Sequence, residues 1–166
     1  MNNFSVLFVC TGNICRSPTA EAVLRQRLEE MGMGAQVLVD SAGIQGWHEG
    51  EPPDPRSQAH ARRRGYELSG LRARALSASD FSRFDLLLAM DRGHLRAMRE
   101  RCPPGLQVRL GLLLDQAPSY EGQDVPDPYY GGVSDFERVL DLVELACDAL
   151  ARQLATRLAK APRRAE

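Results

Sequence analysis

Val6-Leu7-Phe8-Val9-Cys10-Thr11-Gly12-Asn13-Ile14-Cys15-Arg16-Ser17-Pro18 reads as a strand, a short loop and the start of a helix. An apolar, β-prone run ends at Cys10, a loop with one glycine follows, and Arg16 with Ser17-Pro18 opens the next element. The first N–H groups of a helix have no intrahelical partner and the helix dipole adds partial positive charge, so a loop delivered into a helix start suits a dianion. Cys10 stands at the mouth of that loop, where the amides and Arg16 favour its thiolate, a nucleophile. Arg16 can fold back and present a planar fork of donors to two oxygens of a phosphoryl group. Asn13 is among the few non-glycine residues suited to positive φ, which a loop wrapping its amides around one centre needs. Thr11, Gly12, Ile14 and Cys15 complete the loop, and Ser17 is placed either to cap the helix or to donate to the cysteine sulfur. Cys-x5-Arg alone arises often by chance; its setting between a β run and a helix gives it weight.

The 166 residues fit one domain, expected over 1–159 with a fraying tail at 160–166. A net charge of −1 argues against a nucleic-acid-binding surface. Lys160 is the only lysine, so no Gly-Lys-Ser/Thr nucleotide loop exists. No secretory apolar segment and no stretch of membrane-spanning length is visible, which points to the cytoplasm and away from a membrane. Of the four cysteines, Cys10 and Cys15 have no histidine beside them, so no metal site is expected, while a reversible disulfide between them is compatible with the spacing.

Phe4 to Cys10 reads as a buried parallel strand, and Ala20, Val23, Leu24, Leu28 and Met31 then fall at helical spacing up to Gly32 and Gly34. Gln36 to Asp40 is a second strand, with a turn at Ser41-Ala42-Gly43. Gly46 to Pro55 is a loop in which Trp47 reads as a binding wall and His48 as a solvated residue. Asp54-Pro55 caps a helix over Arg56 to Arg64, whose Arg62-Arg63-Arg64 run reads as a solvated face. Leu68 to Leu76 crosses back, Ser77 to Asp80 starts a helix, Asp85 to Met90 is a third strand and Arg92 to Arg101 a helix that Asp91 is expected to cap rather than contact the site. Val108 to Leu114 is the fourth strand. Asp115 to Gly132 has the composition of a functional loop, and prolines on both sides of Asp127 restrict its backbone so that a carboxyl can be aimed. Tyr129 and Tyr130 are placed to line the mouth of the site. Ser134-x-x-Glu137 reads as a capping box opening a long helix with Phe136, Val139, Leu140, Val143, Cys147, Leu150 and Leu154 on one face. The sum is a three-layer α/β fold: a four-stranded parallel sheet, helices on both faces, and the Cys-x5-Arg phosphate-binding loop at its N-terminal strand.

The run Val9 to Pro18 resembles the phosphate loop of the low-molecular-weight protein tyrosine phosphatases, and Asp127-Pro128-Tyr129-Tyr130-Gly131 resembles their general-acid loop. The resemblance implies a phosphotyrosine protein phosphatase working through a cysteinyl-phosphate, with Cys10, Arg16 and Asp127 catalytic and no cofactor. It further implies that Ser41 supports the loop, that Trp47 flanks the substrate's ring, and that partners are phosphotyrosine proteins; a monomer is expected. Leu71 stands where that family often has a histidine supporting the loop asparagine, which leaves Asn13 to Ser17 and Ser41. Related alternatives are an arsenate reductase, for which Cys102 and Cys147 do not form the expected relay, and an arginine phosphatase, which typically carries threonine where Ile14 stands. A non-catalytic phosphotyrosine-binding module would not need both Cys10 and Asp127.

Overall fold

The computed structural model describes residues 3–160 and builds them around one central strand, β1 (Phe4–Cys10). β2 (Val37–Gly43) pairs with it on one side and β3 (Leu86–Ala89) on the other, with β4 (Leu110–Leu112) beyond β3. All pairings are parallel, in the order β2-β1-β3-β4. β1 is buried along its whole length because both faces of the sheet are covered. Its side chains divide by alternation: Phe4, Val6, Phe8 and Cys10 join one apolar core, while Leu7 and Val9 join the other. The first core is closed by α1 (Arg16–Glu30), α2 (Pro55–Arg63) and α5 (Val133–Lys160). The second is closed by α3 (Asp80–Arg83) and α4 (Arg92–Arg101). Fully burying one such side chain contributes about 1.5–3 kcal/mol, so the central strand is firmly held between the two cores.

Strand order reverses direction between β1 and β3, which opens a crevice beyond their carboxyl ends. Cys10 ends β1 and Asp91 follows β3, so both residues are delivered to that crevice.

Several boundaries differ from the sequence reading. β2 extends through Gly43, beyond the expected Asp40. The fourth strand shrinks to Leu110–Leu112 between 3₁₀ turns at Pro104–Arg109 and Leu113–Gln116, and Val108 is exposed. Pro103-Pro104 commits the chain to a turn that the apolar run after it conceals. The expected capping box at Ser134 does not form: Glu137 instead meets His60 and Arg64, and Asp135 reaches back to the N–H of Gly132. Arg64 is not on a solvated face either, since it pairs with Glu137, Asp141 and Glu144 of α5. Lys160 still belongs to α5, and the rest of the expected tail lies outside the described residues. Among the described residues no helix is long and apolar enough to cross a membrane.

Candidate active site

The loop after β1 is shaped from behind. The carbonyls of Cys10 and Thr11 accept from the N–H groups of Ile44 and Gln45, and that of Ile14 accepts from Asp54 N–H. With its carbonyls held from outside, the loop has its amides left for the concave side. The backing strand must approach closely: a Cβ on Gly43 would lie 2.9 Å from the carbonyl oxygens of Thr11 and Gln45. α1 starts at Arg16 with no side-chain cap and no acid in its first turn, which leaves its N-terminal donors for an anion.

Asn13 takes the expected positive φ, 59°. Its amide nitrogen donates to Ser17 Oγ (2.8 Å) and Ser41 Oγ (2.9 Å), and its Oδ1 accepts from Arg74 N–H (3.0 Å). The two serines therefore carry the support expected of them, and a backbone N–H supplies the third contact. Ser17 does not cap α1; its hydroxyl lies 2.9 Å from Cys10 Sγ. Ser41 Oγ in turn donates to Glu21 Oε1 (2.6 Å), a buried carboxyl paired with Arg25. Burial raises the Glu21 carboxyl above its usual range. Nothing in the sequence marked Glu21, because an acid four residues before an arginine on a helix usually faces water.

Arg16 is only 3% exposed and is anchored by Nη1, which donates to Asp91 Oδ2 (3.0 Å) and to the carbonyl of Val125 (3.0 Å). Asp91 also caps α4 by accepting from His94 N–H, so the cap and the site contact are made together by its two oxygens, contrary to the expected choice. Nη2 of Arg16 points to Thr11 Oγ1 (3.4 Å) and Asp127 Oδ2 (3.7 Å). Asp127 lies on a loop tied down by Val125 N–H on the Met90 carbonyl and by Arg92 on Asp124. Its Oδ1 accepts from Tyr129 N–H, closing a turn around Pro128.

Cys10, Thr11, Gly12, Ile14, Cys15, Arg16, Trp47, His48, Asp127, Tyr129 and Tyr130 line one cleft of about 310 Å³. Trp47 and Tyr130 stand exposed as its rim, and Tyr130 packs edge-on against Tyr129. Arg56 lies over the Tyr129 ring and pairs with Asp54, the residue whose N–H holds the phosphate-loop carbonyl. His48 is not merely solvated: its ring packs beside Gly12, where a Cβ would meet it at 2.9 Å, and Nδ1 pairs with Glu51. The Cys15 thiol is buried and pushed up to about 12 by that burial, and among the described residues all cysteines are free thiols. Cys147 lies in the α5 core stripe, as expected. The described residues hold no group of three or more His, Cys, Asp or Glu side chains that could bind a metal ion. A phosphoryl group entering this cleft would meet a sulfur, a planar guanidinium and a carboxyl converging from β1, α1 and the loop before α5.

Comparison with known proteins points the same way. Residues 5–160 match the family described as low molecular weight phosphotyrosine protein phosphatase. The chain is 51% identical over 150 residues to a low molecular weight protein-tyrosine-phosphatase of Streptomyces coelicolor, covering 89% of this chain and 91% of that protein. It is 42% identical over 146 residues to the low molecular weight protein-tyrosine-phosphatase YfkJ of Bacillus subtilis, covering 88% and 92%. Among solved structures, a protein tyrosine phosphatase from Entamoeba histolytica with Hepes in the active site superposes with a TM-score of 0.89 at 37% identity, over 93% of this chain and 99% of that one.

Proposed function

The chain belongs to the low molecular weight phosphotyrosine protein phosphatase family, and from that membership we propose that it hydrolyses phosphotyrosine in protein substrates in two steps through Cys10. In the first step the Cys10 thiolate attacks phosphorus, an S–P bond forms and the bond to the aryl oxygen breaks. Arg16 and the loop amides hold the equatorial oxygens, where charge gathers in the transition state. Asp127 in its acid form passes a proton to the leaving oxygen, so a neutral phenol departs. In the second step water attacks phosphorus, the S–P bond breaks, and Asp127, now ionised, takes the proton from that water. Orthophosphate and the starting thiolate result.

Each side chain has a stated task in this reading. Ser17 Oγ, 2.9 Å from the sulfur, stabilises the thiolate as nucleophile and again as leaving group. Asn13 holds Ser17 and keeps the loop at its positive φ. Ser41 holds Asn13. Thr11, Gly12, Ile14 and Cys15 supply the rest of the cradle, and Trp47, Tyr129 and Tyr130 form walls for a flat ring. Walls of that kind favour an aryl ester long enough to reach the sulfur of Cys10, a residue only 3% exposed, and a serine phosphate falls short. The observation that carries the reading is the convergence of Cys10, Arg16 and Asp127 on one cleft walled by aromatic rings.

Phosphate release from phosphotyrosine, phosphoarginine and phosphoserine peptides, without added metal, by wild type and Cys10→Ser tests it. Release from phosphotyrosine, lost in the variant, is the expected result. Release chiefly from phosphoarginine would contradict the substrate class, and full turnover by Cys10→Ser would contradict the mechanism.

A further inference from the structure

One buried titratable group beside the cleft has no part in the reaction just described. His94, in the first turn of α4, is 6% exposed, and its ring reaches across to the phosphate loop. Nε2 lies 2.7 Å from Thr11 Oγ1. Thr11 Oγ1 in turn is the 3.4 Å neighbour of Arg16 Nη2, the corner of the guanidinium that also faces Asp127. On its other side, Nδ1 of His94 lies 3.1 Å from Asp91 Oδ1 but out of line, and among the described residues it has no hydrogen-bond partner. Asp91 meanwhile holds Arg16 Nη1. Two side chains thus bear on the two ends of one guanidinium, Asp91 directly and His94 through Thr11.

The polarity of that second contact follows from the charge on the ring. Burial, helped by the Arg16 charge, pushes His94 down to about 4, so at neutral pH the ring carries one proton. The Asp91 carboxylate beside Nδ1 favours the proton there and leaves Nε2 an acceptor. Thr11 then donates its hydroxyl proton to Nε2 and turns a lone pair toward Nη2. Without an acceptor at that place the hydroxyl is free to swing its proton toward the guanidinium or into the space of a bound anion.

We infer that His94 is a positioning residue for phosphate recognition, fixing the Thr11 hydroxyl so that it orients Nη2 of Arg16. The inference rests on the proposed role of Arg16 as a phosphate ligand. His94 itself touches no reacting atom; it acts through Thr11.

Four variants test this: His94→Asn, which places no acceptor at Nε2; His94→Gln, whose longer amide reaches that position; Thr11→Val, which removes the hydroxyl; and His94→Asn with Thr11→Val. For each, kcat and KM on an aryl phosphate are measured together with the inhibition constant of inorganic phosphate, and folding is checked by circular dichroism. The expected result is that His94→Asn and Thr11→Val each weaken phosphate binding and kcat/KM by about three- to tenfold, that the double variant is no worse than the weaker single, and that His94→Gln recovers most of the loss. Multiplying losses in the double variant, His94→Gln no better than His94→Asn, or Thr11→Val with wild-type phosphate affinity would each overturn it. The last of these keeps the test decisive if His94→Asn fails to fold. A wild type that neither hydrolyses the aryl phosphate nor binds phosphate removes the reading of Arg16 as well, whereas an active wild type with indifferent variants contradicts His94 alone.

Discussion

At the scale of single residues, the site is two hydrogen-bonded chains that meet at the phosphate loop. One runs from Glu21 through Ser41, Asn13 and Ser17 to the Cys10 sulfur, and the other from Asp91 and His94 to Arg16. The buried imidazole has a consequence for stability. Its value falls from the ordinary 6.5 to about 4 in the folded protein. Between those pH values the unfolded chain takes up a proton there and the folded chain does not, so stability falls as pH drops through that window and levels off below it. Above the window both states are neutral at this position and it adds no pH slope. Urea unfolding of wild type and His94→Gln at about pH 7 and about pH 4.5 checks it: wild type should lose more stability than the variant, and parallel losses would contradict the assignment. Cys10, Arg16 and the positive φ of Asn13 were legible in the sequence because one short segment carries them, and loop geometry demands those residue types. His94 and Glu21 were not, because each acts on the loop from a separate helix and reads locally as an ordinary helix residue.

At the scale of elements, the loop carrying Asp127 is held on two sides. Val125 bonds Met90, just past β3, and the Arg16 guanidinium, while Arg56 at the start of α2 lies over the rings of Tyr129 and Phe136. The Asp54–Arg56 pair therefore links the phosphate loop to the aromatic wall. Arg56→Leu should loosen the wall without touching the reacting atoms, raising KM for an aryl phosphate about two- to fivefold with kcat nearly unchanged. Steady-state kinetics decide this, and a fall in kcat at constant KM would place Arg56 elsewhere in the reaction. The helices and three of the strands were readable from periodicity and punctuation. The fourth strand is shorter than its sequence suggests, because an apolar run after two prolines looks the same whether it forms a strand or two tight turns. The Ser134 box failed for a related reason: Glu137 has stronger partners in His60 and Arg64 than a backbone N–H, and those partners lie on α2 and at its C-cap.

At the scale of the whole molecule, the sheet order puts the functional loops at the crevice where strand order reverses, and two buried cores cover the two faces of the sheet. α1, α2 and α5 are further joined by charge: Arg27 meets Glu144 and Asp148, and Arg64 meets Glu137, Asp141 and Glu144. That the sheet is parallel and covered on both faces was predictable because strand-helix alternation restricts the connections to right-handed crossovers, whereas the order of its strands was not. This interhelical charge network was not, since single-helix patterns say nothing about which faces meet. What the architecture delivers, on the proposed reading, is a sulfur that takes a phosphoryl group and gives it to water. The most direct test is to mix the protein with an aryl phosphate, quench in acid during turnover and map the phosphoryl group by mass spectrometry. It should be found on the peptide containing Cys10, and should vanish together with turnover in Cys10→Ser. Turnover with no phosphoryl group on Cys10, or turnover that persists in Cys10→Ser, would contradict the account.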